Sequence, residues 1–177
     1  MYLAYATAGT QREAGAQLGY RRAMDIRRLT EADLDLLREV RLEALAEAPY
    51  AFCSALERER AFAPEHWEAQ ACDAGNAAFA ARESGRTLAM AGCAMDDDPA
   101  AATLWGLWVA PEARGRRLAG ALIAAAADWA RAQGASRLRL EVLSDPRCEP
   151  ARATYVRAGF VVAGSDRAGA QTMQLNL

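Results

Sequence analysis

The stretch that most constrains this chain is residues 105–129, with the sequence WGLWVAPEARGRRLAGALIAAAADW. It reads as an apolar strand, a turn with a proline, a basic loop with one glycine and a long alanine-rich helix. The N–H groups that begin a helix lack an intrahelical partner, and the helix dipole makes this end positive. A basic loop directly before that end favours a pyrophosphate site. The same pattern is also compatible with a plain solvated connection.

The loop carries a recognisable motif. Residues 114–119, RGRRLA, follow the strand end LWVAPE and resemble the acetyl-CoA-binding signature Q/R-x-x-G-x-G/A of the GNAT superfamily of N-acetyltransferases. Arg114 and Ala119 match its first and last positions, whereas Arg117 stands where the family usually has glycine. Glycine there lets the backbone approach the pyrophosphate, and an arginine must point its side chain away from it.

A second motif lies further along the chain. Residues 148–160, CEPARATYVRAGF, resemble the family pattern N-x-x-A-x-x-x-Y-x-x-x-G-F, with Ala151, Tyr155, Gly159 and Phe160 in place. Cys148 replaces the usual asparagine and is a weaker hydrogen-bonding partner for a pantetheine amide. Two signatures at this separation are much more specific than either one alone. The resemblance covers residues 24–177.

The resemblance implies the fold class and the cofactor. The expected fold is α/β, with a mixed, mostly antiparallel sheet of six to seven strands, about four flanking helices and a splayed parallel strand pair. The co-substrate is acetyl-CoA, with no metal. The residues expected to contact it are Leu107, Trp108, Val109, Arg114, Gly115, Arg116, Arg117, Leu118, Ala119, Gly120, Cys148 and Tyr155.

Local patterns predict the elements of one compact domain, residues 23–177, after an extension, residues 1–22, that we expect to be poorly ordered. The alternation of apolar residues predicts strands at 25–29, 77–83, 87–95, 103–109 and 137–143, with two more at 160–163 and 172–177. Thr30 and Asp33 form a helix start signal. Helices are predicted to run to about residue 46, after Pro64, and over 118–133. Gly106, inside a strand, indicates a bulge or a close backbone approach.

Composition excludes several classes of function. A formal net charge of −2 is unlike that of a general nucleic-acid binder, and the longest apolar run, residues 119–127, is too short to span a membrane. Four cysteines without CxxC spacing and a single histidine offer little for a metal site. We interpret the thiols as reduced, which favours the cytoplasm. Exposed sheet edges make a homodimer plausible.

Acyl transfer to an amine requires a neutral amine, a stabilised oxyanion and a CoA thiolate that leaves, preferably with a proton. The resemblance implies direct attack in a ternary complex, with Tyr155 as general acid. The alternative is that Tyr155 has only a structural role, as a tyrosine of the core or of the helix surface. Family members often use a carboxylate on the central strand as the base, but the strand at 103–109 lacks one, so Glu141 on the neighbouring strand is the expected base. Glu112, Asp145 and the acidic turn at 96–98 are the alternatives, as is an amine of low pKa that loses its proton to solvent.

The acceptor is predicted to be a primary amine of a small molecule or a protein. In the family, the connection between the first two helices forms one wall of the acceptor pocket, which makes Tyr50, Phe52 and Trp67 candidates for substrate binding. Aromatic residues at such spacings also pack in cores. Two other functions remain open: a catalytically weak acyl-CoA sensor and a protein that binds another pyrophosphate ligand.

Overall fold

The computed structural model describes residues 24–165 and 169–177, so the predicted extension at residues 1–22 lies outside the described part. Within it, seven strands form one sheet in the order β1-β2-β3-β4-β5-β7-β6. The strands are β1 Asp25–Arg28, β2 Asn76–Glu83, β3 Arg86–Met95, β4 Ala101–Val109, β5 Arg137–Leu143, β6 Val161–Ser165 and β7 Ala170–Asn176.

The described residues also form five α-helices. They are α1 Leu34–Glu47, α2 Leu56–Arg60, α3 Pro64–Cys72, α4 Leu118–Ala132 and α5 Glu149–Arg157. The predicted start signal is confirmed as a capping box, since the Thr30 N–H donates to the Asp33 carboxylate at 3.0 Å. Sequence patterns missed α2, whose five residues LERER carry no apolar periodicity.

The core is built from small side chains. On α4, apolar residues recur every three or four positions and are buried against the sheet. The neighbouring strands β2 and β3 also contain several buried alanines, and Ala77, Ala80 and Ala89 are each 0% exposed. Alanine on both sides lets a helix pack closely on a sheet. This packing fixes the beginning of α4 relative to the end of β4.

The sheet opens in its middle. Strands β4 and β5 run parallel, the only parallel pair among the described strands, and they pair only between Ala101–Thr103 and Arg137–Arg139. Beyond Thr103 the two strands have no paired residues. The fold class predicted from the resemblance, including the splayed parallel pair, is therefore confirmed.

The predicted bulge is present in β4. Gly106 has a φ of +64°, and the register with β3 shifts between Met90 and Gly92. This left-handed backbone is accessible to glycine at little cost. The bulge lies beside the opening between β4 and β5 and turns the strand there away from its regular ladder.

Candidate functional site

The basic loop connects the end of β4 to the start of α4. Arg114 donates from Nε to the carbonyl of Val109 at 3.1 Å, which holds the loop against the strand end. Arg117 is the residue that precedes α4, and its side chain does not cap the helix. The first backbone N–H groups of α4 therefore remain available to an anion.

Arg117 adopts the conformation of a glycine. Its φ of 64° and ψ of 16° lie in the left-handed region, as does the φ of 78° at Gly115 two residues earlier. For an L-residue with a β-carbon, this conformation costs about 1 kcal/mol or more. The backbone path at the position where the family has glycine is thus retained despite the arginine.

Carboxylates from neighbouring elements pair with the loop. Arg114 Nη2 donates to Glu47 at 2.8 Å, and Arg116 Nη2 donates to Glu83 at 2.7 Å. The hydrogen bond and charge of Glu83 raise the pKa of Arg116. Glu47 also accepts a hydrogen bond of 3.0 Å from the indole Nε1 of the buried Trp108. One carboxylate on α1 thereby joins β4 to the basic loop.

A cleft of about 540 Å³ lies where β4 and β5 separate. Phe52 from the connection after α1 forms part of one wall, and Glu141 on β5 forms part of the opposite one. The cleft carries two arginines and two carboxylates, so its lining is of mixed charge. The lining residues are Arg41, Ala51, Phe52, Cys53, Ser54, Asp96, Thr103, Leu104, Trp105, Gly106, Arg139, Leu140, Glu141, Leu143 and Thr172.

Three features agree with the motif resemblance: the open N-terminus of α4, the bulge in β4 and the cleft where the parallel strands β4 and β5 separate. A protein-family model, that of the acetyltransferase (GNAT) family, matches residues 39–160. The chain belongs to the GNAT acetyltransferase family. It is accordingly an acyltransferase.

Solved structures of GNAT proteins share the fold. Nourseothricin acetyltransferase is 29% identical over 59% of this chain and 66% of its own, with a TM-score of 0.54. PaiA N-acetyltransferase from Thermoplasma acidophilum, in complex with coenzyme A, is 18% identical over 88% of this chain and 99% of its own, with a TM-score of 0.68. The yncA protein from Salmonella typhimurium, with its cofactor acetyl-CoA, is 20% identical over 88% and 94%, with a TM-score of 0.69. A comparison with curated protein sequences found no significant match.

In this GNAT domain Tyr155 and Cys148 lie in and just before α5, and both are buried. Tyr155 packs edge-on against Phe160, with ring centroids 5.9 Å apart. Burial raises the pKa of Tyr155 to about 12 and also raises the pKa of the Cys148 thiol. The Cys148 Sγ donates to the carbonyl of Tyr50 at 3.7 Å, so this thiol is engaged with the connection after α1.

Glu141 is an exposed residue of β5. It is paired in the sheet with Thr172 of β7, and both residues line the cleft. Among residues 24–165 and 169–177, the side-chain carboxylate of Glu141 has no hydrogen-bond or ion-pair partner. Asp96, from the acidic turn, also lines the cleft, but it accepts a hydrogen bond of 2.7 Å from the Thr103 hydroxyl. Asp96 also lies 3.9 Å from Arg139, so of these two carboxylates only that of Glu141 is unpaired among the described residues.

The three aromatic candidates for substrate binding have different surroundings. Phe52 lines the cleft. Tyr50 packs beneath the guanidinium of Arg147, 4.1 Å from its ring centroid, and is outside the lining of the cleft. Trp67 is only 2% exposed and belongs to the core, where Phe62 packs beside it. Trp67 is therefore a packing residue, and we withdraw it from the acceptor site.

Arg41 is a cleft residue that the sequence reasoning missed. It lies on the buried face of α1, where it donates from Nε at 2.9 Å and from Nη2 at 2.8 Å to the carboxylate of Glu59 in α2. The Phe52 ring lies 4.6 Å from its guanidinium carbon. The sequence did contain an indication of this residue, because Arg41 is a charged residue on the helix face that otherwise carries apolar residues such as Leu37 and Ala44.

No described helix combines the length and apolar character needed to cross a membrane. In the same residues, three or more histidine, cysteine or acidic side chains do not come together in a group that could hold a metal ion.

Proposed function

We propose that this protein transfers the acetyl group of acetyl-CoA directly to a primary amine of a small molecule or a protein, with both substrates bound together. The observation that carries the proposal is the cleft between β4 and β5, which opens beside a bulged strand whose end leads into an open helix N-terminus. The thioester would lie at the bulge, and the amine would enter through the cleft.

The cofactor would bind along the end of β4 and the start of α4. The backbone of Leu107, Trp108 and Val109 would pair with the pantetheine arm, since β4 has no strand partner on the β5 side there. The segment from Arg114 to Gly120 would hold the pyrophosphate through its N–H groups. Two of the loop arginines would exchange their carboxylate partners for phosphate oxygens.

The chemistry needs no covalent enzyme intermediate. The amine nitrogen forms a bond to the thioester carbonyl carbon, a backbone N–H of β4 stabilises the oxyanion, and the C–S bond then breaks. Glu141 would accept the proton that the amine loses. The pKa of about 12 keeps the Tyr155 phenol protonated, so it can donate a hydrogen bond to the departing sulfur. A thiol is more acidic than this phenol, so the sulfur can leave as a hydrogen-bonded thiolate.

Calorimetric titration with acetyl-CoA tests the cofactor site. We expect Arg114→Ala to weaken binding clearly, because the variant removes a phosphate partner and the bond that fixes the loop to Val109. Arg131→Ala is the matched control, since Arg131 lies in the last turn of the same helix and pairs with Asp128. Equal affinity in the Arg114 variant and the control would contradict the proposed phosphate site.

A thiol-release assay across classes of amine tests the transfer. We expect release of CoA only when a suitable amine is present, and a loss of about 100-fold in kcat for Tyr155→Phe and for Glu141→Gln. Binding of acetyl-CoA without release for any amine would favour the catalytically weak sensor instead. Unchanged kcat in either variant would remove that residue from the mechanism.

A further inference from the structure

Arg41 has one donor that the protein does not use. Its Nε and Nη2 both bind Glu59, whereas Nη1 is buried and has no hydrogen-bond partner among the described residues. The residue is 8% exposed and lines the cleft. A buried donor without a hydrogen-bond partner is costly, because it has lost its hydrogen bonds to water and no acceptor replaces them.

This donor lies at the reaction end of the cleft. Nη1 is 3.3 Å from the position that a β-carbon on Gly106 would occupy, and Gly106 is the residue at which β4 bulges. A side chain at this position would crowd the guanidinium, whereas glycine leaves it room. The half-buried Phe52 ring covers the guanidinium at 4.6 Å, and it belongs to a loop segment between α1 and α2.

The opposite wall carries a carboxylate at the same level. Thr103 pairs with Arg139, so continuing this register along both strands brings Glu141 level with Trp105, next to Gly106. Glu141 has no described partner, as noted above. One wall of the cleft thus holds an unused N–H edge behind the Phe52 ring, and the other wall carries an unpaired carboxylate.

We propose that the acceptor is an amine that also carries a carboxylate, and that Arg41 Nη1 binds this carboxylate while the amine faces Glu141. The inference rests on the proposed acetyl transfer and names its substrate class. The Phe52 ring moves aside to admit the carboxylate oxygen to Nη1.

Charge balance favours a zwitterion over a simple amine or a simple acid. Glu59 already neutralises Arg41, so a second anion alone would leave excess negative charge in the cleft. An acceptor that brings its own ammonium supplies the compensating charge next to Glu141. An amine without a carboxylate would leave Nη1 without a partner, which lowers its affinity.

The experiment compares matched acceptors. Each set contains an amino acid, its carboxamide and the corresponding decarboxylated amine: for example phenylalanine, phenylalaninamide and phenethylamine, with α-, β- and γ-amino acids and dipeptides represented. For the best set, we expect kcat/KM for the carboxylate to exceed that of the other two members by 10-fold or more. Acetylation that is equal or faster for the amide or the plain amine would overturn the inference.

Arg41→Lys tests the residue, with Arg38→Lys on the exposed face of the same helix as the control. Lysine keeps the charge beside Glu59 and removes the second N–H edge. The preference for the carboxylate over the amide should fall at least 10-fold in Arg41→Lys and stay unchanged in Arg38→Lys. A purely structural defect would lower all three acceptors equally and leave their ratio unchanged, which would contradict the assignment.

A binding measurement separates this inference from the proposed function. The CoA-loaded protein is titrated calorimetrically with the same acceptors. Carboxylate-dependent binding that is lost in Arg41→Lys would support the inference even if no acetyl group were transferred. Equal affinity for the acid, its amide and the plain amine would overturn the inference, as would the absence of binding for every acid in the panel. Either outcome would do so whether or not thiol release occurs with other amines.

Discussion

At the scale of single residues, Arg117 has a strained backbone conformation and Tyr155 has a buried hydroxyl-bearing side chain. Arg117 has a left-handed backbone before α4, and Tyr155 is a phenol enclosed by the core. Each makes a measurable contribution to stability that can be separated from catalysis.

Arg117→Gly should stabilise the protein. Glycine removes the left-handed strain of about 1–2 kcal/mol but adds about 0.4–1 kcal/mol of unfolded-state entropy, which leaves a gain of roughly 0.5–1 kcal/mol. Urea denaturation measures the free energy of unfolding. Arg116→Gly is the control and should destabilise, because Arg116 has no positive φ and would lose Glu83. A loss of stability in Arg117→Gly would contradict the claim that the backbone of Arg117 is strained.

Tyr155 should make stability fall at high pH. Burial raises its pKa from 10.0 to about 12, so between these values the unfolded chain releases the proton while the folded protein keeps it. The contribution of Tyr155 to the free energy of unfolding is therefore fully present below pH 10 and is lost as the pH rises toward 12. Two pKa units correspond to about 3 kcal/mol.

Unfolding by urea at pH 9, 10 and 11 would measure this effect, with Tyr155→Phe as the comparison. The tyrosine protein should lose stability faster than the phenylalanine variant over this range. Burial also raises the pKa of Cys93 to about 12, but this thiol is common to both proteins and cancels in the difference. Parallel pH curves would show that the phenol is not enclosed.

At the scale of elements, the cleft depends on how α1 and the short α2 are joined. Arg41 and Glu59 are 8% and 5% exposed, and their bidentate pair is the buried ionic link between these helices. Removing one partner of such a pair leaves the other charged and buried, which costs much more than removing both.

A double-mutant cycle tests this link. Arg41→Met alone should lower the free energy of unfolding by about 3–5 kcal/mol, because Glu59 stays buried without its partner. Arg41→Met combined with Glu59→Leu should recover most of that loss. Chemical denaturation of the two single variants and the double variant provides the cycle. Additive losses would mean that the pair is not coupled in the folded protein.

At the scale of the whole molecule, the sheet consists of two parts joined by a short contact. Strands β1 to β4 lie on one side and β5, β7 and β6 on the other, and the two sides pair over only three residues of each central strand. A ligand bound at the opening would contact both parts, so we expect binding to stabilise the junction.

Hydrogen exchange should report this effect. On addition of CoA, amide exchange in residues 107–109 and 118–120 should slow at least 10-fold, since these N–H groups gain acceptors from the ligand. Exchange in β1 and the β2–β3 hairpin, which are remote from the opening, serves as the internal control. Protection spread evenly over both regions would indicate general stabilisation and no specific contact.

Local sequence determined most of the architecture. Alternating apolar residues, the Thr30 cap and Gly106 predicted the strands, the first helix and the bulge, because each depends on neighbours within a few positions. The two signatures were sufficient to indicate the family and the cofactor loop. The local patterns did not predict α2 or α5. In α2, one leucine and four charged residues form a helix that contacts α1.

The cleft and its lining were decided by tertiary structure. Arg41 and Glu59 are 18 residues apart, and Glu47 reaches Trp108 and Arg114 across 61 and 67 residues. No local pattern contains such pairs, because they form only when α1 packs on the sheet. For the same reason the sequence could not separate Trp67, enclosed by the core, from Phe52, which lines the cleft. Interactions between near neighbours in the chain determined the basic loop, and long-range packing determined the cleft.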